Sequence, residues 1–184
     1  PPMIRAFLGL AIPPSLHPAL MLEQALLPLP RRVDPADLHL TLAFLGDQPE
    51  PVLRDLDDAL QRLRAPAFDL CLAGLGHFGG DRPRQVYAGV ADCPPLMTLE
   101  ARLSRLAQAQ GLCVPHRRFV PHVTLGRFAP PLPDAADRLI RAVAARNLFR
   151  APPFTVGAVT LFRSHLTRNG AHYDALAEYD LTGP

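Results

Sequence analysis

A histidine, an apolar residue, a threonine and a second apolar residue occur in this order twice in the chain. The first copy contains His39 and Thr41, and the second contains His122 and Thr124. Imidazoles titrate near pH ~6.5, so one of a facing pair can accept a proton while the other donates one. Threonine hydroxyls can donate to the nonbridging oxygens of a tetrahedral phosphate anion. If the two copies meet in one site, they suit phosphoryl transfer by acid–base catalysis.

Both copies are predicted to lie on β-strands. Alternate side chains of a strand face opposite ways, so His39 and Thr41 share one face while the neighbouring leucines share the other. The same parity holds for His122 and Thr124. We expect the apolar faces to pack under helices, which leaves two imidazoles and two hydroxyls on the open faces.

A third copy of the pattern, His165 and Thr167, is assigned no functional role. It is followed by Arg168-Asn169-Gly170, which predicts a hairpin turn and leaves no apolar strand after the motif. Metal binding by His39 and His122 is disfavoured, because no nearby carboxylate or cysteine completes a ligand set. The sequence therefore predicts no metal site.

Every one of the 19 basic residues is an arginine, and lysine is absent. The absence of lysine excludes a Walker-type phosphate loop and any ligase or aldolase route through a covalent lysine adduct. Arginine gives planar, bidentate contacts to phosphate, although a genome rich in arginine codons explains the same bias.

The length of 184 residues fits one domain, residues 1–184. The chain shows no apolar run long enough to span a bilayer and no signal peptide, so we expect a cytoplasmic protein with no membrane partner. Its three cysteines lack a C-x-x-C pair, which argues against a disulfide scaffold and a zinc knuckle.

The order of predicted elements occurs twice, over residues 3–80 and 84–181. The pattern predicts a pseudo-symmetric, two-lobed α+β fold with the site in the cleft between the lobes. Two local features are also predicted. The glycine-rich segment 74–80 should be a flexible loop, and the last strand should cover residues 173–181 after a turn at Asn169-Gly170.

These motifs resemble those of the 2H phosphoesterases, and within them the bacterial and archaeal 2'-5' RNA ligase family, also called RNA 2',3'-cyclic phosphodiesterases. The resemblance covers essentially the whole chain. It is carried by four segments: Arg5-Ala6-Phe7, residues 38–46, residues 121–127 and Leu161-Phe162-Arg163-Ser164.

The resemblance implies two lobes, each an antiparallel sheet with helices on its outer face, around a central V-shaped cleft. It also implies hydrolysis of RNA 2',3'-cyclic phosphate ends to 2'-phosphomonoesters, with reversible 2'-5' ligation. Neither ATP, metal nor another cofactor is expected. The expected partner is RNA with a cyclic end, tRNA fragments included, or a nucleotide, and the expected state is a monomer.

By the same resemblance, His39 is the general acid for the departing ribose oxygen and His122 the general base for water. Thr41 and Thr124 hold the phosphate oxygens. Pseudo-symmetry leaves the choice of acid and base open.

Three further residues match substrate-binding positions of the family. Arg127 would neutralise charge on the phosphate, but strand parity places it on the wrong face unless Gly126 forms a bulge or the strand ends there. Phe44 would stack on the terminal base, whereas periodicity favours the core, and both interpretations stay open. Tyr173 matches a family tyrosine, without an assigned role.

Outside these positions, two arginine pairs are either contacts for the rest of an RNA strand or solvated loop residues: Arg31 with Arg32 and Arg117 with Arg118. Two alternatives to the RNA phosphodiesterase remain. One is the same chemistry on a small cyclic nucleotide or 2'-5' oligoadenylate. The other is a non-catalytic nucleotide-binding module, which the presence of both histidines disfavours.

Overall fold

The two His-x-Thr segments form neighbouring strands in the middle of a seven-stranded sheet. The structure is a computed structural model that describes residues 2–182. The strands are β1 (Met3–Ala11), β2 (His39–Pro49), β3 (Phe68–Leu70), β4 (Leu72–Phe78), β5 (Gln85–Val90), β6 (His122–Arg127), β7 (Phe154–Val156), β8 (Ala158–Thr167) and β9 (Gly170–Asp180). The α-helices are α1 (His17–Leu26), α2 (Glu50–Leu60), α3 (Pro94–Ala109) and α4 (Pro133–Ala145), and short 3₁₀ turns cover Pro14–Leu16 and Pro35–Asp37.

The large sheet has the strand order β4-β5-β6-β2-β1-β8-β9, and its neighbouring strands are antiparallel. A single residue pair, Leu40 with Val123, joins β2 to β6. On either side of this pair the sheet consists of β4-β5-β6 and of β2-β1-β8-β9. The predicted α+β class with antiparallel sheets is confirmed, and the two motif strands are adjacent.

Each part of the sheet contains strands from both predicted repeats. Strand β4, which ends the repeat over residues 3–80, pairs with β5 of the next repeat, and β8 from the C-terminal half pairs with β1 from the N-terminal half. Helix α3 packs against β2, and α1 packs against β6. Each motif strand is therefore supported by a helix from the other half of the sequence.

Apolar residues of the motif strands form the core beneath these helices. Leu40, Val123 and Leu125 are fully buried, as are Leu96 and Leu103 on the inner face of α3. This burial fixes which face of each strand is turned to the core, because the side chains of a strand alternate. None of the helices within residues 2–182 is long and apolar enough to cross a membrane.

The prediction of a flexible loop over residues 74–80 is wrong for most of that segment, which forms β4. The glycines there make room for a neighbour. A Cβ on Gly76 would lie 2.5 Å from the phenol oxygen of Tyr87, so only glycine lets the Tyr87 ring cross the strand. The turn begins at Gly79, whose φ of +110° favours glycine.

The last hairpin is longer than predicted, because β8 runs to Thr167 and β9 starts at Gly170. The turn residues are Arg168-Asn169 rather than Asn169-Gly170. The hydroxyl of Thr167 donates to the carbonyl of Gly170 and accepts from the Asn169 N–H. His165 lies 2.5 Å from the carboxylate of Asp174, so both polar side chains of the third motif make contacts within the hairpin.

Candidate active site

The two motif histidines are held by the backbone in the same way. Nδ1 of His39 lies 2.8 Å from the carbonyl oxygen of Asp37, and Nδ1 of His122 lies 2.7 Å from that of Val120. A carbonyl can only accept, so each Nδ1 carries the hydrogen. In the neutral ring, Nε2 then keeps its lone pair and is free to exchange a proton with a substrate.

His39 is surrounded mainly by aromatic rings. The centroid of its ring lies 4.8 Å from that of Phe7 and 4.6 Å from that of Tyr173, and its Nε2 lies 3.1 Å from Oγ1 of Thr41. Burial is the main reason that its pKa falls from 6.5 to about 4, against the opposing hydrogen bond to the Asp37 carbonyl. His39 is therefore neutral near pH 7 when no anion is bound.

His122 is contacted by an amide as well as by rings. Nε2 of Gln85 lies 3.2 Å from Nε2 of His122 and donates to Oγ1 of Thr124 at 2.6 Å. The rings of Phe78 and Tyr87 flank the imidazole at 5.0 and 5.3 Å. Burial again lowers the pKa of this histidine most, and nearby arginine charges lower it further.

Sequence reasoning missed Gln85. It is the first residue of β5, where a lone glutamine before an apolar run carries no functional signal. Only the pairing of β5 with β6, which sets Gln85 opposite Arg127, brings it to the second motif.

Arg127 faces the site because β6 contains a bulge. Thr124 pairs with Tyr87 and Gly126 pairs with Val86, so one extra residue of β6 lies between the two pairs and the parity changes. The bulge was one of the two sequence-based explanations. The positive charge of Arg127 lowers the pKa of both motif histidines, so the guanidinium acts on both.

A close backbone contact explains the glycine at this bulge. A Cβ on Gly126 would lie 2.4 Å from the carbonyl oxygen of Arg31. The loop that precedes the first motif therefore passes directly over the second motif strand.

Phe44 lies at the cleft rather than in the core. Strand β2 has bulges of its own, since Gly9 pairs with Thr41 while Leu8 pairs with Ala43, and these change the side-chain parity. The Phe44 ring is partly exposed, lines the same cleft as both histidines, and has the Arg5 guanidinium 4.9 Å from its centroid. Base stacking on Phe44 stays a prediction, but the placement permits it.

Tyr173 lies beside His39 and is anchored by Asp37. The Asp37 carboxylate accepts from the Tyr173 N–H at 3.0 Å and from Nδ1 of His172 at 2.8 Å, while the Asp37 carbonyl accepts from His39. Asp37, only 6% exposed, thus ties the first motif to β9, a role that the sequence did not indicate. Burial raises the pKa of Tyr173, so its phenol stays protonated and can donate a hydrogen bond.

His39, Thr41 and His122 line one cleft of about 530 Å³, which is within the usual range for small-molecule sites, and Thr124 lines the adjoining cavity. Arg117 and Arg118 line this cleft too. A second cavity of about 600 Å³ contains Arg31 and Arg32. The two spaces share part of their walls, which includes His39, Arg127 and Tyr173.

The arrangement can bind an anion and move protons around it. Two imidazoles present Nε2 to one cleft, two hydroxyls stand beside them, and one guanidinium acts on both rings. No group of three or more histidine, cysteine, aspartate or glutamate side chains within residues 2–182 has the arrangement of a metal site.

A model of the 2'-5' RNA ligase superfamily matches residues 13–168, which include both motifs. The chain belongs to this superfamily. Among curated members, the RNA 2',3'-cyclic phosphodiesterase of Aeropyrum pernix is 32% identical over 152 residues, covering 80% of this chain and 84% of the relative. The protein of the same name from Escherichia coli is 31% identical over 153 residues, covering 83% and 80%.

Solved structures of two proteins that are 27% and 28% identical to this chain have the same fold. Escherichia coli LigT complexed with 3'-AMP aligns with a TM-score of 0.81 at 27% identity, over 98% of this chain and 99% of that chain. The Thermus thermophilus protein TT0787 aligns with a TM-score of 0.75 at 28% identity, over 97% and 98%. The family resemblance inferred from the motifs is confirmed.

Proposed function

We propose that this superfamily member hydrolyses RNA 2',3'-cyclic phosphate ends to 2'-phosphomonoesters and also joins such ends reversibly to 5'-hydroxyls through 2'-5' bonds, without metal or ATP. The observation that carries the proposal is the pair of backbone-anchored imidazoles facing one cleft, with Arg127 acting on both. The names of the curated relatives support the choice of substrate.

In the proposed hydrolysis, Nε2 of His122 takes a proton from water while the water oxygen bonds to phosphorus. The bond from phosphorus to the ribose O3' breaks, and Nε2 of His39 gives that oxygen its proton. Thr41 and Thr124 donate to the nonbridging oxygens, where charge accumulates in the transition state, and Arg127 neutralises that charge. The ligation differs only in the nucleophile, a 5'-hydroxyl in place of water.

One difference between the charges around the two rings supports His39 as the acid. Arg127 lowers the pKa of both histidines, but only His39 also has a carboxylate, that of Asp37, which partly offsets this lowering; at His122 the second charged group is Arg117, which lowers the pKa further. Burial still keeps His39 neutral in the free protein, where its pKa is about 4. The phosphate anion must therefore bind before His39 carries the proton that it donates.

The test is turnover of a 2',3'-cyclic mononucleotide in the presence of a chelator, with the product identified by its 2'- or 3'-phosphate. We expect a 2'-phosphomonoester, and loss of most of the rate in His122→Ala. A 3'-phosphomonoester product would contradict the leaving group, and a rate that the chelator abolishes would contradict the metal-independent mechanism.

We propose further that RNA, rather than a lone nucleotide, occupies the site. The support is the second cavity, which shares His39 with the first and is lined by Arg31 and Arg32. Guanidinium contacts to backbone phosphates make binding depend on strand length and on salt.

The length of the nucleic-acid substrate provides the test of the RNA proposal. Arg32→Ala should raise KM for ligation to a 5'-hydroxyl oligonucleotide several-fold more than KM for the cyclic mononucleotide. Arg105→Ala, on the exposed face of α3, is the matched control. Equal effects of Arg32→Ala on both substrates would favour a small nucleotide as the natural substrate.

A further inference from the structure

Gln85 is the polar side chain that most clearly distinguishes the second motif from the first. It lies at the start of β5, half-buried in the cleft wall, with its Nε2 between Thr124 and His122. We propose that Gln85 is a positioning residue that keeps His122 in the form of a general base and turns the Thr124 hydroxyl toward the phosphate. The proposal rests on the phosphodiester chemistry proposed above.

The contact with His122 selects one protonation state of the ring. Because Nδ1 donates to the Val120 carbonyl, the neutral ring presents a lone pair at Nε2, 3.2 Å from the amide nitrogen of Gln85. That nitrogen carries hydrogens and has no acceptor capacity. It can therefore bond to the neutral ring, whereas in the protonated ring two N–H groups would face each other. Neutral imidazole is the form that accepts a proton from the nucleophile.

The contact with Thr124 sets the direction of a hydroxyl hydrogen. Nε2 of Gln85 has two hydrogens, one for His122 and one for Oγ1 of Thr124 at 2.6 Å. Since Oγ1 accepts this bond, its own hydrogen remains for another acceptor. A nonbridging phosphate oxygen in the cleft is such an acceptor.

The first motif is arranged differently. Nε2 of His39 lies 3.1 Å from the hydroxyl of Thr41, and the ring of Phe7 lies beside the imidazole. A hydroxyl can rotate to donate to a neutral imidazole or to accept from a protonated one. His39 can therefore gain and lose a proton without losing this contact, as a general acid must. Among the described hydrogen bonds, Gln85 supplies the only amide to either ring.

The experiment follows both histidines by NMR titration in the wild type, Gln85→Leu and Gln85→Glu, with kcat/KM for a 2',3'-cyclic mononucleotide measured over the same pH range. Loss of the amide should raise the titration midpoint of His122 by about half to one pH unit in Gln85→Leu. In Gln85→Glu the carboxylate should raise it by more than about one unit. As the midpoint rises, kcat/KM at pH 6 should fall, roughly three- to tenfold in Gln85→Leu, because less of the protein then carries a neutral His122.

Several controls separate positioning from loss of structure. Gln108→Glu adds the same charge on the exposed face of α3 and should move neither histidine. Gln85→Asn keeps an amide but shortens its reach, so it tests the contact if another variant fails to fold. An unmoved His122 midpoint, or equal movement of His39 and His122, would overturn the proposal. The titration needs no turnover, so an inactive wild type would count against the proposed function and not against the Gln85 contact.

Discussion

The half of the site that contains His39 and the half that contains His122 share a backbone design and differ in what surrounds the ring. Each Nδ1 bonds to the carbonyl two residues earlier. A phenylalanine and a tyrosine ring flank each imidazole, but Nε2 of His39 faces the hydroxyl of Thr41, whereas Nε2 of His122 faces the amide of Gln85. In the proposed mechanism the two motif histidines are similar proton-transfer groups, and their different surroundings assign one as the acid and the other as the base.

The β-bulges of the two motif strands are a second case in which similar backbones carry different side chains. In β2 they bring Phe44 to the cleft, and in β6 a bulge brings Arg127 there. The same kind of backbone irregularity, a β-bulge, thus places an aromatic ring in the first half of the cleft and a guanidinium in the second. An aromatic ring can stack on a nucleobase, and a guanidinium can bind a phosphate.

The largest effect on kcat is expected when the imidazole of one half is removed. His39→Ala and His122→Ala should each lower kcat about 10² to 10⁴-fold, because each removes one proton transfer. The double variant should be little worse than the more damaged single variant, since the two residues act as a unit. His165→Ala, from the third copy of the motif, should be unaffected. Full multiplication of the two single effects would contradict a shared site.

Replacing either motif threonine should lower kcat less, and a second readout should distinguish the two variants. Thr41→Val and Thr124→Val keep the shape of the side chain and remove one donor to the phosphate, so each should lower kcat roughly 10 to 100-fold. Only Thr124→Val also removes the partner of Gln85, so only this variant should shift the titration midpoint of His122. A shift of the His122 midpoint in Thr41→Val but not in Thr124→Val would contradict the proposed role of Gln85.

The smallest effect concerns stability against acid. The pKa of His39 is about 4 in the folded protein and near 6.5 when unfolded. Between these values the unfolded chain binds more protons, so the free energy of unfolding falls as pH falls from about 6.5 to about 4. His39→Asn should make this fall shallower, as measured by urea unfolding at several pH values. Parallel curves for the wild type and the variant would contradict the burial of a neutral imidazole.

The sequence predicted the parts of the site that repeat. Strand parity placed His39 with Thr41, and a second copy with the same parity indicated where its partner would be found. The fold class followed from the same repetition. The pairing of β8 with β1 joins strands that are far apart in the sequence, so it depends on tertiary contacts and has no periodic signal.

The sequence did not predict the residues that make the halves unequal. Gln85 reaches His122 only through a strand pair, and Asp37 reaches Tyr173 only through the packing of β9. The glycine-rich segment was misassigned because glycine indicates flexibility as readily as it indicates close contact. At Gly76 the Tyr87 ring decides between the two, and the register that sets this ring opposite Gly76 is known only from the paired strands.

The most direct test of the account is the position of a phosphate bound to the protein. In a crystal structure with a nucleoside 2'-phosphate, we predict that its phosphate oxygens lie within about 3 Å of Nε2 of both His39 and His122. The Gln85 amide should stay beside the His122 ring. A phosphate that contacts one imidazole while the other stays beyond hydrogen-bond reach would contradict a single site built from two halves.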